Sequence, residues 1–181
     1  MNRREFLIAG ASLLVPELLL ANQDAFWQRD RTLWLRRGGE EFKVTYWSQG
    51  AVDIPNYVRL CYLLRDVNDD VTVMMDVNLL NLLYGLQVWD YQLTGIEKPF
   101  IATSGQRTVK TNNMTEGAAW DSAHLRGRAV DGRIPGVDHA LLAERAKFFK
   151  MGGVGKYVTH THVDTERVRF WNGKTHPNGR I

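Results

Sequence analysis

At 181 residues with 44% hydrophobic side chains, the chain can build one domain with a sizeable core, and its composition excludes an intrinsically disordered protein. Its single cysteine, Cys61, excludes an intrachain disulfide and a thiolate zinc cluster. A formal net charge of +3 with dispersed Lys and Arg offers no recognisable nucleic-acid module and only a weak pull toward an anionic polymer such as a cell wall.

The chain opens with Arg3 and Arg4 ahead of an apolar run from Phe6 to Leu20, interrupted by Pro16 and Glu17. That run is too short and too broken to span a bilayer, and it ends near Ala21 in a small-residue cleavage pattern. Residues 1–21 are expected to be an export signal, twin-arginine in type, with an ordinary secretory signal as the alternative. The mature protein is then periplasmic or otherwise exported to the cell envelope, with no stable membrane span. Residues 22–40 are polar and aromatic and read as a leader into a domain over 41–171.

Phe42–Trp47 alternates and is rich in β-formers, which predicts a strand, with a turn at Gln49-Gly50. Asp53 can cap a helix that carries Pro55 in its first turn and runs to about Arg65; Cys61 lies on it as a buried core thiol. After the polar break at Asn68–Asp70, a second helix from Asp76 to Leu86 is apolar around most of its surface and reads as a central core helix. Pro99–Thr103 is a buried strand, and residues 108–121 lack periodicity and read as a surface loop. Arg128–Asp131 is a short strand and Val137–Lys150 a helix capped near Asp138. Met151–Gly155 is a glycine-rich exit, followed by strands at Tyr157–Asp164 and Val168–Trp171 and a loose tail over 172–181. Helices early and strands late give an α+β fold: a small, mostly antiparallel sheet with helices packed on one side.

The chemistry concentrates in two segments, Ser122–Asp131 and Thr159–Asp164, which hold His124, His160 and His162 with Asp131 and Asp164. Strict alternation on a strand would point His160, His162 and Asp164 to one face. A histidine, an aspartate seven residues on and a distant second histidine supply neutral nitrogens and a hard oxygen, a donor set that suits a divalent metal, zinc first. Three protein ligands leave the fourth tetrahedral position to water, the pattern of a catalytic site. His139 and His176 read as ordinary structural or surface histidines. The Met151–Gly155 segment follows a helix instead of opening one, so it fails as a phosphate loop and reads as backbone packing beside the site.

Ser104-Gly-Gln-Arg107, Asn112-Asn113, the S-x-H-x-x-G-x-A-x-D run of 122–131, Gly152-Gly-Val-Gly155, His162-Val-Asp164-Thr165 and Arg169-Phe-Trp171 together resemble the zinc peptidoglycan peptidases. That superfamily contains D-alanyl-D-alanine carboxypeptidases, dipeptidases and murein endopeptidases. The likeness covers about residues 40–171 and is greatest to the twin-arginine-exported murein endopeptidase branch. It implies one zinc per chain held by His124, Asp131 and His162, with Arg107 receiving a substrate carboxylate or developing oxyanion. The substrate implied is peptidoglycan peptide, cut by endo- or carboxypeptidase action. Gln106 stands where tyrosine is usual, Asp131–Gly136 replaces a more apolar continuation, and Glu166-Arg167 stands where glycine often follows Asp-Thr. These departures are expected to alter substrate choice and the lip after His162.

A zinc there would lower the pKa of its water from ~15.7 toward ~7 and polarise the scissile carbonyl, but a general base is still required. Many relatives place an acid where this chain has Thr159, which cannot serve. His160 is therefore the expected base or transition-state stabiliser, with Asp164 as its alternative or as a partner behind the ligands. Two rivals remain on this reading: a catalytically weak wall-binding protein on the same fold, and a dipeptidase acting on free D-amino-acid dipeptides.

Overall fold

A computed structural model of the protein describes residues 23–173. The export signal and nearly all of the tail lie outside the described residues. A short helix α1 (Gln23–Gln28) leads into strands β1 (Arg31–Arg37), β2 (Glu40–Ser48) and β3 (Ala51–Val52). Helices α2 (Ile54–Leu63) and α3 (Val77–Thr94) follow, then β4 (Phe100–Ser104), α4 (Val109–Met114) and a 3-10 turn at Ala123–Arg126. The chain ends through β5 (Ala129–Arg133), α5 (His139–Phe149), β6 (Gly153–Lys156), β7 (Thr161–Asp164) and β8 (Arg169–Asn172).

The α+β class holds, but the sheet expected to be small and mostly antiparallel is large and mixed. Among the described residues it has eight strands in the order β3-β2-β1-β4-β5-β7-β6-β8, and β1/β4 and β6/β8 pair in parallel. The stretch 22–40, expected to be a leader, instead supplies β1 between β2 and β4. Leu33 and Leu35 point from it into the core, while Arg31 is buried with its guanidinium donating to Asn81 and stacked on the Trp47 ring.

The helices start and stop for local reasons. The Asp53 carboxylate accepts from the Asn56 N–H at the start of α2. Asp76 caps α3, which runs to Thr94, past the expected Leu86, until Gly95 turns left-handed at φ 68°. Asp138 accepts from Ala140 and Leu141 at the start of α5. α2, α3 and α5 pack against the sheet around Leu60, Leu64, Leu79, Leu83, Trp89 and Leu142. Each such leucine contributes roughly 1.5–3 kcal/mol by leaving water. Cys61 is buried there, its Sγ accepting from the Met75 N–H, and burial pushes its pKa up.

Two further boundaries differ from expectation. The segment 108–121 contains α4, capped by Thr108, whose hydroxyl accepts from Thr111. Gly153–Lys156, expected to be an exit loop, is β6, so 157–160 becomes the turn of a hairpin and β7 begins only at Thr161. Strand pairing sets Asp131 opposite His162, while Val130 and Val163 alternate to the other face and enter the core. The core thus fixes the register that brings the two ligand candidates together.

Candidate metal centre

The first motif is a capped turn. The Ser122 hydroxyl accepts from the His124 N–H, and Gly127 ends the turn in the left-handed region at φ 63° before the buried Ala129 starts β5. Serine and glycine therefore place His124, and the strand places Asp131. The Gly105 carbonyl accepts from His124 Nδ1 at 2.6 Å, which turns Nε2 inward. A Cβ at Gly105 would overlap the Leu64 carbonyl, so the S-G-x-R turn needs glycine to bring its backbone this close.

His124, Asp131 and His162 are buried, and one donor atom from each lies within 4.8 Å of the others. Asp131 Oδ1 is 2.8 Å from His162 Nδ1 and 3.3 Å from His124 Nε2. Its second oxygen accepts from Arg107 Nη2 at 2.7 Å, and Arg107 Nε donates to Ser104. His162 Nε2 faces Asp164 Oδ2 at 3.1 Å. Each histidine thus has one nitrogen held by an acceptor behind it and the other turned to the cluster, the arrangement that fixes the tautomer of a metal-ligating imidazole. Two nitrogens and a carboxylate oxygen fit zinc by donor type. The structure brings together the three residues expected to be ligands.

Asp164 is fully buried. Its carboxylate accepts from the Gly153 and Glu166 N–H groups and from Arg169 as well as facing His162. Burial raises its pKa, but those hydrogen bonds outweigh it and hold it at about 2. With its oxygens so engaged it orients His162 and has no lone pair to offer a reacting water. A Cβ at Gly153 would overlap this carboxylate, and one at Gly155 the Trp171 ring, so the glycine-rich segment does pack beside the site.

His160 lies just outside β7, yet its Nε2 is 4.0 Å from Asp131 Oδ1. Burial lowers its pKa below the ordinary histidine value, Asp131 only partly opposing this. Neutral at physiological pH, it can accept a proton at the cluster's edge. Burial raises the Asp131 pKa, but His124 and His162 outweigh it and hold the carboxyl well below the usual range.

In the metal-free protein, burial works against a charge on His162, but hydrogen bonds to Asp131 and Asp164 outweigh it and raise its pKa to about 9. Near neutral pH the ring carries a second proton, and a metal must displace the one on Nδ1. Zinc binding should therefore release about one proton per chain, with apparent affinity weakening about tenfold for each pH unit below 9. Calorimetry in buffers of different ionisation enthalpy reads this proton; a buffer-independent heat contradicts the assignment.

Other residues surround the cluster. Gln106 is buried, its side chain accepting from the Asp66 N–H, so it ties the Arg107 loop to the segment after α2. Glu166 shapes the lip by pairing with Arg126, which also binds Asp121. Sequence reasoning assigned no role to Tyr157 or Trp171, although the Trp171 ring sits 5.2 Å from that of His162. The signal was the alternation of Arg169 and Trp171 on β8, which sends both toward the site.

Over 121 residues, 64% of this chain and 63% of its relative, the chain is 37% identical to the probable peptidoglycan L,D-endopeptidase MepK of Haemophilus influenzae. It is 29% identical over 180 residues to the peptidoglycan L,D-endopeptidase MepK of Escherichia coli strain K12, covering 94% of this chain and 97% of that protein. The family model described as peptidoglycan L,D-endopeptidase MepK matches residues 24–171, the whole sheet almost to its last residue. The chain belongs to the peptidoglycan L,D-endopeptidase MepK family of M15 peptidases.

Proposed function

We propose that the protein is an exported zinc peptidase that cuts peptide bonds of peptidoglycan as an L,D-endopeptidase. The observation that carries this reading is the buried nitrogen, nitrogen, oxygen cluster with an acceptor behind each histidine. His124, Asp131 and His162 would hold one zinc per chain. Bound zinc supplies the Lewis acidity that activates water and polarises the scissile carbonyl.

The chain's own residues do the rest. His160 Nε2 accepts the proton lost by the attacking water and can return it to the leaving amine. Arg107 fixes Asp131 so that one oxygen faces the histidines, and its positive charge suits a substrate carboxylate or a developing oxyanion. Asp164 keeps His162 turned. His160 fills the role left open by Thr159, which favours an enzyme over a wall-binding protein. Peptidoglycan lies outside the cytoplasm, the destination that Arg3 and Arg4 predict. No helix among the described residues is long and apolar enough to cross a membrane.

The endopeptidase names of the relatives favour internal cleavage over carboxypeptidase action. Of the bonds in stem peptides, the diaminopimelate crosslink and L-Ala to D-Glu join an L-centre to a D-centre. Defined muropeptides digested by the zinc-loaded protein and analysed by mass should be cut at such a bond. Cleavage confined to D-Ala to D-Ala or D-Ala to diaminopimelate bonds contradicts the proposal.

A further inference from the structure

The strand that delivers His162 does not fix His160. β7 begins at Thr161, so the His160 ring projects from a hairpin turn, where the Tyr157 N–H donates to its carbonyl and its Nδ1 lies 3.0 Å from the exposed Thr159 hydroxyl. What faces the ring is Tyr157, stacked on it with centroids 4.4 Å apart and planes 14° from parallel. Tyr157 is itself held: the Trp171 indole N–H donates to its hydroxyl at 3.0 Å, and the Trp171 ring packs against both His162 and the Arg169 guanidinium. Two glycines make the slots, since a Cβ at Gly155 would overlap Trp171 and one at Gly173 would overlap Tyr157. The chain from His160 through Tyr157 and Trp171 therefore ends on a ligand of the candidate metal.

We propose that Tyr157 is a positioning residue that, braced by Trp171, holds His160 Nε2 at the edge of the His124–Asp131–His162 cluster. This rests on His160 acting as the proton acceptor. Tyr157 touches neither the cluster nor a reacting atom, and its contribution passes entirely through the orientation of one imidazole. Misplacing a reacting group by about 1 Å can cost on the order of 10²-fold in rate.

The test uses the zinc-loaded protein on a crosslinked muropeptide. Tyr157→Leu should keep one zinc and a near-parent KM while kcat falls by about 10–100-fold. Tyr157→Phe, which keeps the stack, should recover most of the rate. In a His160→Ala background Tyr157→Leu should cost nothing further, because the residue it positions is gone. An equal loss in both backgrounds, loss of zinc from Tyr157→Leu, or a parent-like Tyr157→Leu beside a slow His160→Ala overturns the inference alone. A parent-like His160→Ala overturns the proton-acceptor reading, and the inference with it. Should Tyr157→Leu fail to fold, the parent protein decides: His160 ring protons should be shifted upfield in the NMR spectrum by the stacked phenol, and unshifted protons overturn the proposal.

Discussion

Replacing His162 with alanine should remove zinc and peptide hydrolysis together. The side chain supplies one of three clustered donors, and its opposite nitrogen is already committed to Asp164. Without it His124 and Asp131 remain, too few donors for the three-ligand pattern of catalytic zinc sites. Parent protein at zinc a hundredfold above its dissociation constant should gain about 2.7 kcal/mol of stability, whereas His162→Ala should gain almost none. Asp164→Asn is the graded control: the ligands survive, His162 loses its charged partner, and zinc affinity or activity should fall by about 10–100-fold. Elemental analysis and thermal unfolding with and without zinc read both variants. A full equivalent of zinc retained by a His124→Ala, His162→Ala double variant contradicts the ligand assignment.

His160→Ala should leave zinc content and folding unchanged and lower the hydrolysis rate by about 10²–10⁴-fold, the span of a positioned acid–base group. His160 is only partly exposed, faces Asp131 from 4.0 Å and is kept neutral by burial. Asp164 is the other residue the sequence offered for the role, but its carboxylate is enclosed by four donors. Steady-state rates on one crosslinked muropeptide separate the two. A larger loss in Asp164→Asn than in His160→Ala, at equal zinc occupancy, contradicts the assignment.

The local parts of this architecture were legible in the sequence. Ser122, His124, Gly127 and Asp131 specify a capped turn and a strand start within ten residues, and short-range capping and dihedral preferences act at that range. His162 and Asp164 were legible from alternation, because β7 really is a strand. His160 was placed on that strand by the β-formers Tyr157, Val158 and Thr159, which instead form the hairpin turn once Gly153–Lys156 pairs with β7. It reaches the cluster through stacking, which alternation does not encode.

The larger sheet was hidden by distance along the chain. β1 begins and ends in arginines that mask its alternation, and one acceptor that lets Arg31 be buried, Asn81, comes from a helix fifty residues later. The parallel pairs β1/β4 and β6/β8 join segments with no turn between them, so no local pattern announces them. The partner of Gln106 was hidden for a related reason: Asp66, forty residues earlier, donates its N–H to that side chain.

On the proposed function, one metal held by His124, Asp131 and His162 drives hydrolysis of a peptidoglycan peptide bond. This is tested most directly by titrating the metal-free protein with zinc while following, by mass, cleavage of a muropeptide carrying an L,D-crosslink. Cleavage should be absent without metal and rise to a plateau at about one equivalent. Full cleavage by the metal-free protein, or none at any zinc level, would contradict it.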